Sequence, residues 1–140
     1  MINKLIIAAI LNILLLLSVS SQTFEVPYSY IKLECSLKVD SNKFIIRSIT
    51  DLRKLTNCPG IPIDFSEYSI IGVQGATGGC EIPEVEYKIV KDLDNFQYLI
   101  QATVYSFGSC RRNHIYRRTI ITERLETGFK IKFDLKKVSK

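Results

Sequence analysis

The sequence predicts a mainly β fold: an antiparallel meander rolled into a sandwich or small barrel, with one short helix near 49–56. Three observations carry this. Segments rich in β-branched and aromatic residues, interleaved with polar ones, recur along most of the chain. The connections between the later segments are short, and parallel neighbours would need crossovers of a dozen residues or more. The last segment, Phe129 to Leu135, sets Phe129, Ile131, Phe133 and Leu135 on one side and Lys130, Lys132, Asp134 and Lys136 on the other. One of its faces must be buried and the other wet.

The chain opens with Lys4, an apolar run from Leu5 to Leu17 broken only by Asn12, and then Ser18-Val19-Ser20-Ser21. A positive start, a short apolar middle and a small-residue exit form the layout of a secretory signal peptide. The run is too short to cross a bilayer, which takes roughly 20 apolar residues. Cys35 lies too far beyond it to be a lipidation site. Residues 1–21 are therefore expected to be removed after Ser21, leaving one domain over 22–140, secreted or periplasmic, without stable membrane insertion.

Along that domain, Tyr28 to Val39 and Lys43 to Ser48 read as a hairpin about an Asp40-Ser41-Asn42 turn. Ser48 then stands as a helix N-cap with Asp51 three residues on, and Ile49, Leu52 and Leu55 recur at helical spacing. Asn57-Cys58-Pro59-Gly60 ends the helix. After a proline-rich connector, Tyr68 to Gln74 reads as a short buried strand, and Gly75-Ala76-Thr77-Gly78-Gly79 as a tight turn or bulge. Strands follow over Val85 to Lys91, Gln97 to Phe107 and Ile115 to Leu125. Turns over Asp92 to Asn95, Ser109 to Asn113 and Glu126 to Gly128 complete the meander.

Four cysteines behind a signal peptide point to two disulfides. Zinc sites bring ligands in close pairs such as CxxC, and Cys35, Cys58, Cys80 and Cys110 are all widely spaced. If the strands 85–91 and 97–107 form a hairpin about Asp94, Cys80 falls opposite residue 108. That is two places from Cys110, a gap that loops can close to the ~5.5 Å Cα separation of a disulfide. The expected bridges are Cys80 with Cys110 and Cys35 with Cys58.

Charge and motifs exclude more than they identify. The whole chain carries 19 Lys and Arg against 14 Asp and Glu, a formal +5, and loss of Lys4 lowers it by one. That excess is mild, and a nucleic-acid binder concentrates its charge on one face; no nucleic-acid partner is expected. Histidine-based nucleophilic chemistry would have to use His114, which stands in a basic turn and reads as a loop residue. Glu81, Glu84 and Glu86, with Asp64 and Glu67, offer carboxylates, but Glu84 and Glu86 alternate with Val85 and Tyr87 as on the wet face of a strand. The glycine cluster lacks the lysine and following helix of a phosphate loop. No catalytic residue, metal site or cofactor is expected.

The feature that stands out is Arg111-Arg112-Asn113-His114-Ile115-Tyr116-Arg117-Arg118, a basic segment able to hold an anionic group or meet an acidic partner. Contact surfaces are expected at Arg111, Arg112, His114 and Tyr116 and at Gly78 and Gly79, on loops that a rigid sheet would present.

Ile46-Arg47-Ser48-Ile49-Thr50-Asp51-Leu52, then Ile63-Asp64-Phe65, Ile70-Ile71-Gly72-Val73 and Thr77-Gly78-Gly79-Cys80, resemble a group of small uncharacterised bacterial exported proteins and lipoproteins. More remotely, the order of these motifs is similar to the C-terminal domain of the protease-complex-associated polypeptide (PrcB-like) family. The resemblance spans roughly residues 44 to 135, and Cys80 stands where those relatives tend to carry an aromatic residue. It implies a secreted accessory domain whose partner is another exported protein such as a protease. The functional expectation is a non-enzymatic protein-binding β domain. The alternatives are a small-ligand carrier curled about an apolar cavity and, less favoured, a hydrolase built on His114.

Overall fold

The computed structural model describes residues 21–38, 41–58 and 60–140. The expected signal peptide lies, except for Ser21, outside them. The described residues form β1 (Thr23–Glu25), β2 (Tyr28–Ile31), β3 (Lys43–Ile46), α1 (Ile49–Leu55), β4 (Tyr68–Gly79), β5 (Glu84–Asp92), β6 (Gln97–Ser106), β7 (Arg112–Glu123) and β8 (Lys130–Ser139). Two four-stranded sheets result, one in the order β1-β5-β6-β8 and the other β2-β7-β4-β3. They stack as a sandwich, the mainly β class that the sequence predicts, and no closed barrel forms.

Three local expectations are overturned. The hairpin of 28–39 with 43–48 does not form: β2 pairs with β7, and β3 with β4. The glycine segment 75–79 is no turn, because β4 runs straight through it, paired residue for residue from Tyr68↔Glu123 to Gly79↔Arg112. The final meander is interrupted. β5 and β6 do form the expected hairpin, from Glu84↔Tyr105 to Asp92↔Gln97. β7 then crosses to the other sheet, and β8 returns parallel to β6, from Gln97↔Lys130 to Ser106↔Ser139. Stacked sheets lie only ~10 Å apart, so a short loop can arch between them as readily as it closes a hairpin. β7 itself supplies the length of the parallel crossover.

Alternation sorts the first sheet cleanly. Val85, Tyr87 and Ile89 of β5 and Tyr98, Ile100, Ala102 and Val104 of β6 are buried against Ile71, Val73, Tyr116 and Ile120 of the second sheet. Ile131, Phe133 and Leu135 of the edge strand β8 pack on the same core, half-buried. Asp92 fixes the β5–β6 turn, accepting from Asn95 N at 3.1 Å, Asn95 Nδ2 at 2.8 Å and Gln97 Nε2 at 3.0 Å. Those side-chain donors, Gln97 first and then Asn95, hold its carboxyl below the usual range.

The second sheet is the middle layer of three. Its far face carries a separate core of Leu33, Phe44, Ile46, Leu52 and Ile70, with Cys35, Leu37 and Cys58 packed around it. Helix α1 closes that layer. Ser48 Oγ accepts from Asp51 N at 3.0 Å, the cap read from sequence, and the N–H of Thr56 closes the last turn on Leu52 O at 2.9 Å. The bridge Cys35–Cys58, Cα atoms 5.2 Å apart, ties the segment after β2 to the end of the helix. The second, Cys80–Cys110 at 4.8 Å, ties the end of β4 to the approach to β7. Both pairings are the expected ones. Each contributes about 3–4 kcal/mol on the loop-entropy account.

Two glycines within β4 are occupied from across the ladder. The ring of Phe44, cross-strand neighbour of Gly72, lies where a Cβ would stand, with Cζ only 2.1 Å from that position. Tyr116 covers Gly75 in the same way, its hydroxyl 2.9 Å from a Cβ built there. An aromatic ring laid over a strand glycine restores the contact the missing side chain would make. Because the Phe44 ring is itself buried, Gly72→Ala should destabilise the fold by about 1–3 kcal/mol. Urea denaturation checks this, and adding Phe44→Leu should recover part of the loss.

Candidate functional site

The antiparallel ladder fixes which backbone groups of β7 are used. Gln74 N donates to Asn42 O at 3.0 Å, so even-numbered residues of β4 face β3 and odd-numbered ones face β7. The pair Val73↔Arg118 is then hydrogen-bonded, and even-numbered residues of β7 point toward β4. Arg124 N donating to Glu67 O at 2.8 Å continues that parity. The odd-numbered residues Asn113, Ile115, Arg117, Thr119 and Ile121 therefore turn their N–H and C=O groups to the other side. There β2 meets β7 only from Thr119 to Thr122. Beyond Thr119, no described strand occupies the lane beside Arg112–Arg118.

The chain leaves this lane at Lys32 for a physical reason. Leu33 is buried in the helix-side core, Cys35 is bonded to Cys58, and Leu37 bridges to Thr56. All three draw residues 32–38 over the face of the sheet. Arg117 Nη1 donates to Cys35 O at 2.8 Å and holds the departing chain from below.

A cleft of about 920 Å³ opens along the part of the vacated lane from Ile115 to Thr119. One wall is β7, with Ile115, Arg117, Arg118 and Thr119; the other is β5, with Glu84, Val85 and Glu86; Tyr30 to Leu33 close one end. β5 has an open stretch here too, because β1 pairs with it only from Val90 to Asp92. The two walls are tied by phenols. Tyr30 donates to Val85 O at 2.7 Å and Tyr87 to Arg118 O at 2.8 Å, and Tyr28 meets both rings at 5.7 and 5.9 Å between centroids. Tyr30 thus occupies the β5 edge, whereas on the β7 edge the backbone groups of Asn113 and Ile115 are open among the described residues and Arg117 O accepts from Arg118 Nη1 at 3.2 Å.

The opposite side of the sandwich is closed by lysines. Lys43 of β3 donates to Phe133 O of β8 and lies over its ring, and Lys137 of β8 donates to Ala76 O of β4 at 3.2 Å. Lysines along an edge are a usual guard against strand pairing.

The expected contact residues are distributed unevenly around this site. Arg111 and Arg112 are exposed at the start of β7. His114 is half-buried, its Nε2 3.2 Å from Gly79 O. No thiol stands near it to serve as a nucleophile, for all four cysteines are paired. Tyr116 is only 2% exposed and belongs to the core between the sheets, so it offers no outward contact. Gly78 and Gly79 lie in the β4 ladder and not on a loop. Gly79 also has a positive φ of 154° and would set a Cβ 2.9 Å from Phe107 O, which ties it to the closing of the Cys80–Cys110 corner.

Reading the sequence missed Tyr30, Val85 and the exposure of Ile115, which is 86% exposed. Ile115 alternates with Tyr116, and an apolar pair at a strand start does not say which of the two faces in. Glu84 and Glu86 are exposed as expected, here at the rim of the cleft. No cluster of His, Cys, Asp or Glu able to hold a metal occurs among the described residues, and no helix there is long and apolar enough to cross a membrane. Comparison with family models, curated proteins and solved structures returns no match.

Burial, the neighbouring Tyr28 and the charge of Glu86 push the Tyr30 phenol up to about 12, with Arg118 acting against them. Tyr87 is pushed up further, chiefly by its burial. In the unfolded chain both ionise near their ordinary value of 10. Their contribution to stability is therefore complete below about pH 10 and is lost as pH rises toward the folded-state values. Tyr87→Phe should cost about 1 kcal/mol at neutral pH and flatten the decline in urea midpoint above pH 10. Midpoints measured across alkaline pH, beside phenolate absorbance, check this.

Proposed function

We propose that the mature chain is an exported, non-enzymatic β domain that binds another protein by accepting one of its extended segments along the open edge of β7. The observation that carries this reading is the lane beside Arg112–Arg118, which no described strand occupies. Backbone donors and acceptors of Asn113 and Ile115 face it at strand spacing, and a cleft of about 920 Å³ adjoins it from Ile115 onward. Strand addition draws its affinity from such main-chain hydrogen bonds and its selectivity from the positions of alternate side chains. The free stretch offers about 20 Å of edge at the rise of a strand, the length of an ordinary strand.

Two disulfides agree with maturation in an oxidising compartment. A protease as partner rests on the resemblance noted in the sequence alone. The carrier alternative draws less support, since the space between the sheets is filled by core side chains.

Ile115 provides a clean test. Its N–H faces the lane and not β4, and its side chain is exposed, so proline there removes an edge donor without breaking the ladder. Ile115→Pro should keep the melting temperature within a few degrees of the parent's and lose the binding of peptides selected from a displayed random library on the parent. Selection of no peptides, or of peptides that bind both forms equally, would falsify strand addition.

A further inference from the structure

The chemistry of the lane narrows the guest, provided that strand addition at β7 is correct. We infer that the segment taken up carries an acidic side chain two residues before an apolar one, the acid meeting Arg117 and the apolar residue meeting Ile115.

The direction follows from β2, which already lies antiparallel to β7 in the same lane, so a guest that continues its hydrogen-bonding pattern runs the same way. Ile115 and Arg117 project from the same face of β7, being two apart. A guest running antiparallel meets Arg117 first and Ile115 two residues later. Arg117 spends one donor on Cys35 O, and the rest of its planar fork suits a carboxylate. Ile115 is an uncovered apolar side chain two residues from Arg117, and a cross-strand apolar neighbour is the partner that would bury it.

Two further features sharpen the pattern. Glu84 and Glu86 line the facing wall on β5, so acids at the intervening guest positions would be repelled. A uniformly acidic tract is therefore a poor guest. A second copy of this chain fits badly as well. Two β7 edges paired antiparallel about Ile115 would set Arg112 of each opposite Arg118 of the other, and like charges directly opposite destabilise a sheet.

Fluorescence anisotropy with three synthetic peptides tests the inference. They share a Ser- and Thr-rich extended frame around Glu-Thr-Val, Gln-Thr-Val or Lys-Thr-Val. The glutamate peptide should bind the parent protein about fivefold tighter than the glutamine one, the scale of one exposed ion pair, and tighter still than the lysine one. Arg117→Gln should erase that order and Arg117→Glu invert it, while Ile115→Pro should abolish binding of all three. Equal binding of the three peptides, still lost in Ile115→Pro, would overturn the acidic preference and leave strand addition standing. Binding of none, or binding indifferent to Ile115→Pro, would remove both. A dimer of the parent in sedimentation that Ile115→Pro dissociates would put a second copy in the lane and overturn the assignment of the guest.

Discussion

The β4–β7 ladder is the constraint on which the rest of the molecule depends. Twelve residues of each strand pair without a break, and the sheet they centre is buried on both sides, against β5 and β6 on one face and against the helix layer on the other. A strand in that position needs apolar residues on both faces. Ile70, Ile71 and Val73 of β4 and Ile120 of β7 are accordingly withdrawn from solvent altogether. The glycines at 72 and 75 fit the same demand, because an aromatic ring from the neighbouring strand lies across each of them. What looks in isolation like a flexible run is held flat by its partner.

From that ladder the two sides of the sandwich diverge. On one side, lysines from β3 and β8 reach across to carbonyls of the opposite sheet and close the gap. On the other, the N-terminal strand divides between the sheets, β1 on β5 and β2 on β7, and then turns away. Had residues 32–38 continued in register they would have covered the remaining edge of β7. Their alternation, with Leu33, Cys35 and Leu37 on one side, suits a strand. The buried Leu33 and the Cys35–Cys58 bridge commit those apolar side chains to the helix layer instead. The open edge is thus a direct consequence of how the second core is assembled. On the proposed reading, the arginines beside it would discourage pairing with like-charged strands and favour a guest that sets a single acid opposite Arg117.

Most elements were legible before the fold was known. The helix announced itself by Ser48, Asp51 and the spacing of Ile49, Leu52 and Leu55. The strands of the first sheet alternate plainly because only one of their faces is buried, and the β5–β6 turn was visible in Asp92 to Asn95. The disulfide pairing followed from that hairpin's register, one residue from the register observed. The errors share one origin. Short loops and turn-forming residues describe the local path of the chain, but whether a turn closes a hairpin or arches to a second sheet is settled by which surfaces must be buried. Of the site, the basic segment Arg111 to Arg118 was recognised, but its inward and outward members were not separated, since alternation fades in a strand buried on both sides.

By itself, the sequence determined the class of the fold, the extent of its helix and of the β5 and β6 strands, and which cysteines pair, because these follow from periodicity, capping and short-range register. Only the tertiary structure decided that β8 runs parallel to β6, that the glycine segment is a strand, and that no described strand fills the lane beside Arg112–Arg118. Each of these depends on contacts between residues far apart in the chain, and a strand's own side chains fix which way it faces without naming the neighbour it will meet.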